Sequence, residues 1–101
     1  MLYAYANIKV KYGRLATFNE AMAIVKRVME SHGWRLIGAW STVAGDLHEV
    51  HDLWEVDDAN AVPAGFAAAY EHPEFVAAVA QLSEVVDRET LTLLTKTPYS
   101  P

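Results

Sequence analysis

Asp52 is the residue of this chain whose setting most needs an explanation. It lies in the run Leu47-His48-Glu49-Val50-His51-Asp52-Leu53-Trp54-Glu55-Val56, among apolar and aromatic neighbours. A carboxylate on a half-buried strand is costly unless paired or put to use, and desolvation raises its proton affinity to where it can exchange a proton with a bound molecule. A structural hydrogen bond to Tyr or Trp, or a rim position reached by water, would account for it equally well. His48 shares a face with Asp52, but four residues of strand separate them by about 13 Å, too far to hold one ion unaided. His48 and His51 fall on opposite faces, which defeats joint chelation, and His32 and His72 read as helix-end residues. A metal site would need His ligands from several elements, and the expectation is no metal and no cofactor. Asn7 adds a group that can both donate and accept hydrogen bonds to a carbonyl or phenol, on the same strand face as Tyr3 and Tyr5. Lys9 could balance an anionic substrate, though a solvated lysine near a strand end is the plainer reading.

The elements that carry these groups can be read from periodicity. From Leu2 to Lys11, aliphatic even positions alternate with Tyr3, Tyr5, Asn7, Lys9 and Lys11, which is a strand with two unlike faces. Leu15, Phe18, Met22, Val25 and Met29 form one helical stripe that ends at Gly33. A hairpin comes next, around Gly45-Asp46. A three-residue loop Ala44-Gly45-Asp46 pairs Arg35 with Glu55, Leu36 with Trp54 and Trp40 with Val50. A two-residue loop would instead pair Trp40 with His51 and Leu36 with Glu55, setting charge beside aromatics, so the first register is preferred. It places Trp34, Leu36, Gly38, Trp40, His48, Val50, Asp52 and Trp54 on one face. Asp58 or Asn60 can cap a helix from Ala61 to Tyr70, with Pro63 in its first turn, and His72-Pro73-Glu74 starts another with the stripe Phe75, Val79, Leu82 and Val86. Arg88 to Lys96 is rich in β-formers. The order is β-α-β-β-α-β with the second helix broken near His72: an α+β, ferredoxin-like fold with a four-stranded antiparallel sheet.

Composition narrows the function. A chain of 101 residues, 52% of them apolar, makes a single domain spanning 1–101 with a modest core. With 13 acidic against 8 basic side chains, a net charge of −5 and no dense basic block, nucleic acid is not an expected partner. There is no cysteine, which excludes disulfides, thiolate metal sites and a cysteine nucleophile. No run approaches the roughly 18 apolar residues of a membrane span and no leader pattern opens the chain, so no membrane partner and a cytoplasmic location are expected. Phosphate loops, nucleotide-binding glycine patterns, the Gly-x-Ser-x-Gly elbow and zinc-protease helices are missing from the sequence.

In a ferredoxin-like domain both helices cover one face of the sheet. Tyr3, Tyr5, Trp34, Trp40 and Trp54 are expected on the other face, as a larger apolar patch than a monomer usually exposes. Two copies closing their sheets about a two-fold axis would bury it as a homodimeric α/β barrel enclosing cavities. If the tryptophans pack under the helices instead, the protein is a monomer.

Leu36-Ile37-Gly38-Ala39-Trp40, Thr42, Gly45-Asp46-Leu47, Val50, Leu53-Trp54 and the tail Thr97-Pro98-Tyr99-Ser100-Pro101 resemble the NIPSNAP-like group of the dimeric α/β-barrel superfamily over nearly the whole chain. Where that group tends to show asparagine after the turn and histidine four positions later, this chain has His48 and Asp52. Tyr5-Ala6-Asn7-Ile8-Lys9-Val10 with Gly13, and Tyr70-Glu71-His72-Pro73-Glu74-Phe75, resemble the small antibiotic-biosynthesis monooxygenases of the same superfamily. Those enzymes oxidise electron-rich aromatics, often without metal or flavin, and some use an asparagine matched here by Asn7 with a nearby tryptophan, for which Trp40 or Trp54 would serve.

The expectation is therefore a small-molecule enzyme with an apolar or aromatic substrate. Asp52, Asn7 and His48 are its candidate catalytic residues, and Tyr3, Tyr5, Trp34, Trp40 and Trp54 its candidate binding residues. Oxygenation, isomerisation and cyclisation all remain open. The alternative is a non-catalytic small-molecule binding or protein-interaction module of NIPSNAP type.

Overall fold

The structure, a computed structural model, describes residues 1–101. The elements run β1 (Leu2–Val10), α1 (Leu15–Ser31), β2 (Arg35–Ser41), β3 (Glu49–Val56), α2 (Ala61–Ala69), α3 (Pro73–Val85) and β4 (Val86–Leu94). The antiparallel sheet has the order β2-β3-β1-β4, the expected ferredoxin-like arrangement, with the helices on one side. The second helix breaks at Tyr70–His72 as the sequence implied, and Asp58 supplies the cap by accepting a 3.0 Å hydrogen bond from the Ala61 amide. β4 starts at Val86, directly after α3, rather than at Arg88.

β1 behaves as its alternation dictates. Ala4, Ala6, Ile8 and Val10 are buried beneath the helices, while Tyr3, Tyr5, Asn7 and Lys9 face the other way. β3 pairs Ala4 with Trp54 and Ala6 with Asp52, so Val50, Asp52, Trp54 and Val56 share the helix-facing side. The expectation that Trp54 and Trp34 lie on the uncovered face is thereby corrected. Both are buried, with ring centroids 5.6 Å apart, and Trp34 also meets Phe66 of α2 at 5.4 Å.

The hairpin register is corrected as well. Arg35 pairs with Glu55 and Leu36 with Trp54 as expected, but a bulge at Ile37 shifts the rest of β2, so that Gly38 faces Leu53, Ala39 faces Asp52 and Trp40 faces His51. The extra residue resolves the conflict between the two simple registers: Leu36 stays over Trp54, and Trp40 turns to the open face. There its indole lies across Gly38, where a Cβ would collide with the six-membered ring.

Trp34 fixes α2 in the same manner. Its Nε1–H donates to the Ala61 carbonyl at 3.0 Å, and its ring lies against Gly65, leaving no room for a Cβ there. Gly65→Ala removes a helix-weakening glycine but overpacks a buried indole, and the expected net effect is a loss of about 1–3 kcal/mol. Urea denaturation followed by tryptophan fluorescence measures it; an unchanged or raised midpoint would contradict this packing.

Candidate active site

Between the sheet and the helices lies a cavity of about 320 Å³, lined by 17 residues of which 14 are hydrophobic. β1 gives it a floor of small and aliphatic side chains, Ala6 and Ile8. Trp34, Trp54, Phe66, Tyr70 and Phe75 supply aromatic wall, and Met22, Val25, Val79 and Leu82 close the α1 and α3 side. Its three polar lining residues are Asp52, Ser83 and Glu89.

Asp52 is only 3% exposed, the one buried charged residue of the chain, and its carboxylate makes no hydrogen bond or ion pair with any protein group. Burial pushes its pKa from 3.8 up to about 6; the negative charge of Glu89 adds to the rise and His51, on the other face, opposes it. On the side away from the main cavity, Asn19 and Lys26 of α1 border a smaller space of about 180 Å³ that also touches Asp52, but Lys26 is held by Glu30 at 2.8 Å. Glu89 stands at the cavity mouth on the edge strand β4, its carboxyl raised by desolvation. Sequence reasoning missed it. The usable signal was period two, which puts Glu89 on the face of Leu91, while the pairing of Ile8 with Glu89 and Ala6 with Leu91 carries both under the helices.

The other candidates lie elsewhere. Asn7 neighbours Ala6 in β1 and therefore points to the opposite face, so it does not line this cavity, and neither do Tyr3, Tyr5 or Trp40. On that open face Tyr5 Oη meets His51 Nδ1 at 2.5 Å, and Asn7 Nδ2 donates to the same nitrogen at 3.3 Å and to Glu49. With Nδ1 accepting, Nε2 carries the proton and donates to Thr42 Oγ1 at 3.2 Å, whose hydroxyl donates to the Glu49 carbonyl at 3.0 Å. Arg88 completes the group by donating to Asn7 Oδ1 at 3.3 Å. His51 is thus central to a satisfied polar network. His48 is in the turn with φ at 66°; its carbonyl accepts the Val10 amide at 2.9 Å and its ring packs on Tyr12. Lys9 is engaged with Asp46 and the Leu47 carbonyl, bracing that turn. Asp52, Asn7 and His48 are therefore not one constellation, and no three His, Asp or Glu side chains converge as a metal-ligand set.

A ferredoxin-like layer with an aromatic cavity between sheet and helices places the molecule structurally among small α+β domains. It resembles a NIPSNAP domain protein from Burkholderia xenovorans, with a TM-score of 0.85 and 19% identity, covering 100% of this chain and 99% of that one. A candidate antibiotic biosynthesis monooxygenase from Nitrosomonas europaea is similar in fold, with a TM-score of 0.71 at 10% identity, over 95% of this chain and 98% of that one.

The NIPSNAP family profile matches residues 3–101, and the chain belongs to that family. Protein NipSnap homolog 3A of Homo sapiens and homolog 3B of Mus musculus are each 32% identical over 104 residues, 99% of this chain. The chain spans 41% of the length of these curated relatives. No helix is long and apolar enough to cross a membrane.

The raised Asp52 pKa has a consequence for stability. The folded chain holds that proton more tightly than the unfolded chain, so ionisation opposes folding as pH rises from 3.8 through about 6. Asp52→Asn should gain stability relative to wild type across that interval, by about 2–3 kcal/mol in all, and the difference should level off near pH 7. Parallel denaturation curves from pH 4 to 7.5 measure it; a difference that does not change with pH would show that Asp52 is not desolvated.

Proposed function

We propose that this protein is a small-molecule enzyme whose reaction centre is the cavity between sheet and helices, with Asp52 as the group that transfers a proton to or from an apolar or aromatic ligand. One observation carries the reading: an almost fully buried carboxylate, without a protein partner, faces an aromatic cavity of about 320 Å³. A carboxyl with a pKa of about 6 is divided between acid and base forms near neutrality, as general acid–base work requires. Trp34 and Trp54 form the walls, in the arrangement by which ligand pockets combine apolar lining with a few polar groups. Cofactor-independent oxygenation, isomerisation and cyclisation each need a proton moved at a carbon or oxygen of such a ligand. The fold likeness to monooxygenase-type neighbours favours the first.

The uncovered sheet face is the surface on which a second copy docks. Trp40 is 57% exposed there, beside half-buried Tyr3, Tyr5 and Leu53. The face is more polar than the sequence implied, since Asn7, Glu49, His51 and Arg88 share it, yet those groups are already hydrogen-bonded to one another and enter an interface without orphaned partners. Native mass spectrometry should give a homodimer. Trp40→Glu should convert it to a folded monomer, because Trp40 contributes little to the core of one copy; a dimer that survives this change would place the interface elsewhere.

The same spectra, compared with those of the denatured protein, report any small molecule carried by the folded state and supply the ligand for the catalytic test. Asp52→Asn is expected to retain that ligand while turnover falls by about 10²–10⁴-fold, the usual range for a lost general acid or base. Unchanged turnover would remove Asp52 from the chemistry. Binding by both forms with no turnover by either favours the non-catalytic NIPSNAP-type module.

A further inference from the structure

We infer that the cavity between sheet and helices selects a hydrophobic cation: a small aromatic or alicyclic amine, its ammonium group seated against Asp52 and drawn in past Glu89. This deepens the proposed function and rests on that cavity being the ligand site.

The lining is one-signed. Its only charged residues, Asp52 and Glu89, are both acidic, and no lysine, arginine or histidine borders the space. Groups that could answer Asp52 with positive charge are taken up elsewhere: His51 lies on the other face of the sheet, bonded to Tyr5 and Thr42. Lys26 pairs with Glu30, Arg35 with Glu55 and Asp57, and Arg88 with Glu49. A buried carboxylate of this kind is expensive when unpaired, and the deficit falls at a point open to a ligand and closed to the rest of the chain.

Charge then sorts the ligands by class. A carboxylate or phosphate would bring further negative charge into a low-dielectric space that already holds two acids. A neutral ligand would leave the Asp52 charge unanswered or require its protonation. An ammonium group forms a charge-assisted hydrogen bond to Asp52, and the aromatic lining of Trp34, Trp54 and Phe66 matches its hydrocarbon body. Glu89 at the mouth makes the entrance itself attractive to a cation.

Three probes of one shape test this: 2-phenylethylamine, 2-phenylethanol and phenylacetate, titrated into ¹⁵N-labelled protein while the three indole N–H signals are followed. Trp34 and Trp54 line the cavity whereas Trp40 lies on the opposite face, so a ligand in the cavity moves two signals and spares the third. The amine should bind at least about tenfold more tightly than the alcohol, and phenylacetate should not bind. Asp52→Asn, which removes charge without volume, should erase the preference; Glu89→Gln, at the exposed mouth where folding is not at stake, should reduce it by about threefold. An alcohol that matches the amine in wild type, or a preference that survives in the Asp52→Asn, Glu89→Gln double variant, overturns the charge selection and leaves the cavity standing as the ligand site. If none of the three moves the Trp34 and Trp54 signals, the proposed ligand site falls together with the inference.

Discussion

The small side chains at the centre of the sheet are the constraint on which the site depends. Ala4 and Ala6 occupy the middle of β1 on the helix side, opposite Trp54 and Asp52, where larger residues would fill the interlayer space. Interiors are close-packed, so a space of about 320 Å³ persists only if rigid elements prop the layers apart. Trp34 is such a prop. Its indole sits on the backbone of α2 at Gly65, bonds to the Ala61 carbonyl and leans edge-on against Trp54, joining helix and sheet through one side chain. The cavity and the fold are therefore maintained by the same contacts.

Much of the fold was legible because two periodicities govern it. Period two in β1 and the helical stripe from Leu15 to Met29 each arise from a single face buried against a single layer, and the structure keeps both. The hairpin was harder to read because either simple register puts Leu36 and Trp40 on one face, whereas the structure divides them between the two. A bulge leaves Ile37 unpaired, keeps Leu36 over Trp54 and turns Trp40 to the open face, and residues 42–48 join the strands in place of the expected two- or three-residue turn. Its sequence trace is Gly38, since an isolated glycine inside a strand pattern marks a bulge or a close approach, and here it marks both.

The site was legible at Asp52 and obscure around it for a related reason. A carboxylate inside an apolar strand stands out by composition alone, whereas Glu89 sits in a polar stretch and gains its importance only from the strand pairing that carries it to the mouth of the cavity. Asn7, Tyr5 and His48 were grouped with Asp52 because their chemistry fits one reaction. The pleat separates Asn7 and Tyr5 from it, because Ala6 faces Asp52 across the strand pair and its neighbours in β1 must point away, while His48 lies outside β3 in the turn before it.

The two faces of the sheet differ in how their polar groups are satisfied, and that difference is more informative than the residue types. On the open face tyrosine, asparagine, histidine, glutamate and arginine form a closed set of mutual hydrogen bonds, which is how polar groups behave when their purpose is to hold a surface in shape. On the helix face the buried Asp52 has no protein partner for its carboxylate, whose oxygens open onto the cavity, a state that stability alone does not favour. A fold of this kind hosts unrelated chemistries, so membership in a family cannot assign one. A charge without a protein partner can, because it specifies what a ligand must bring: hydrocarbon to match the aromatic walls and a group able to share or neutralise a carboxylate.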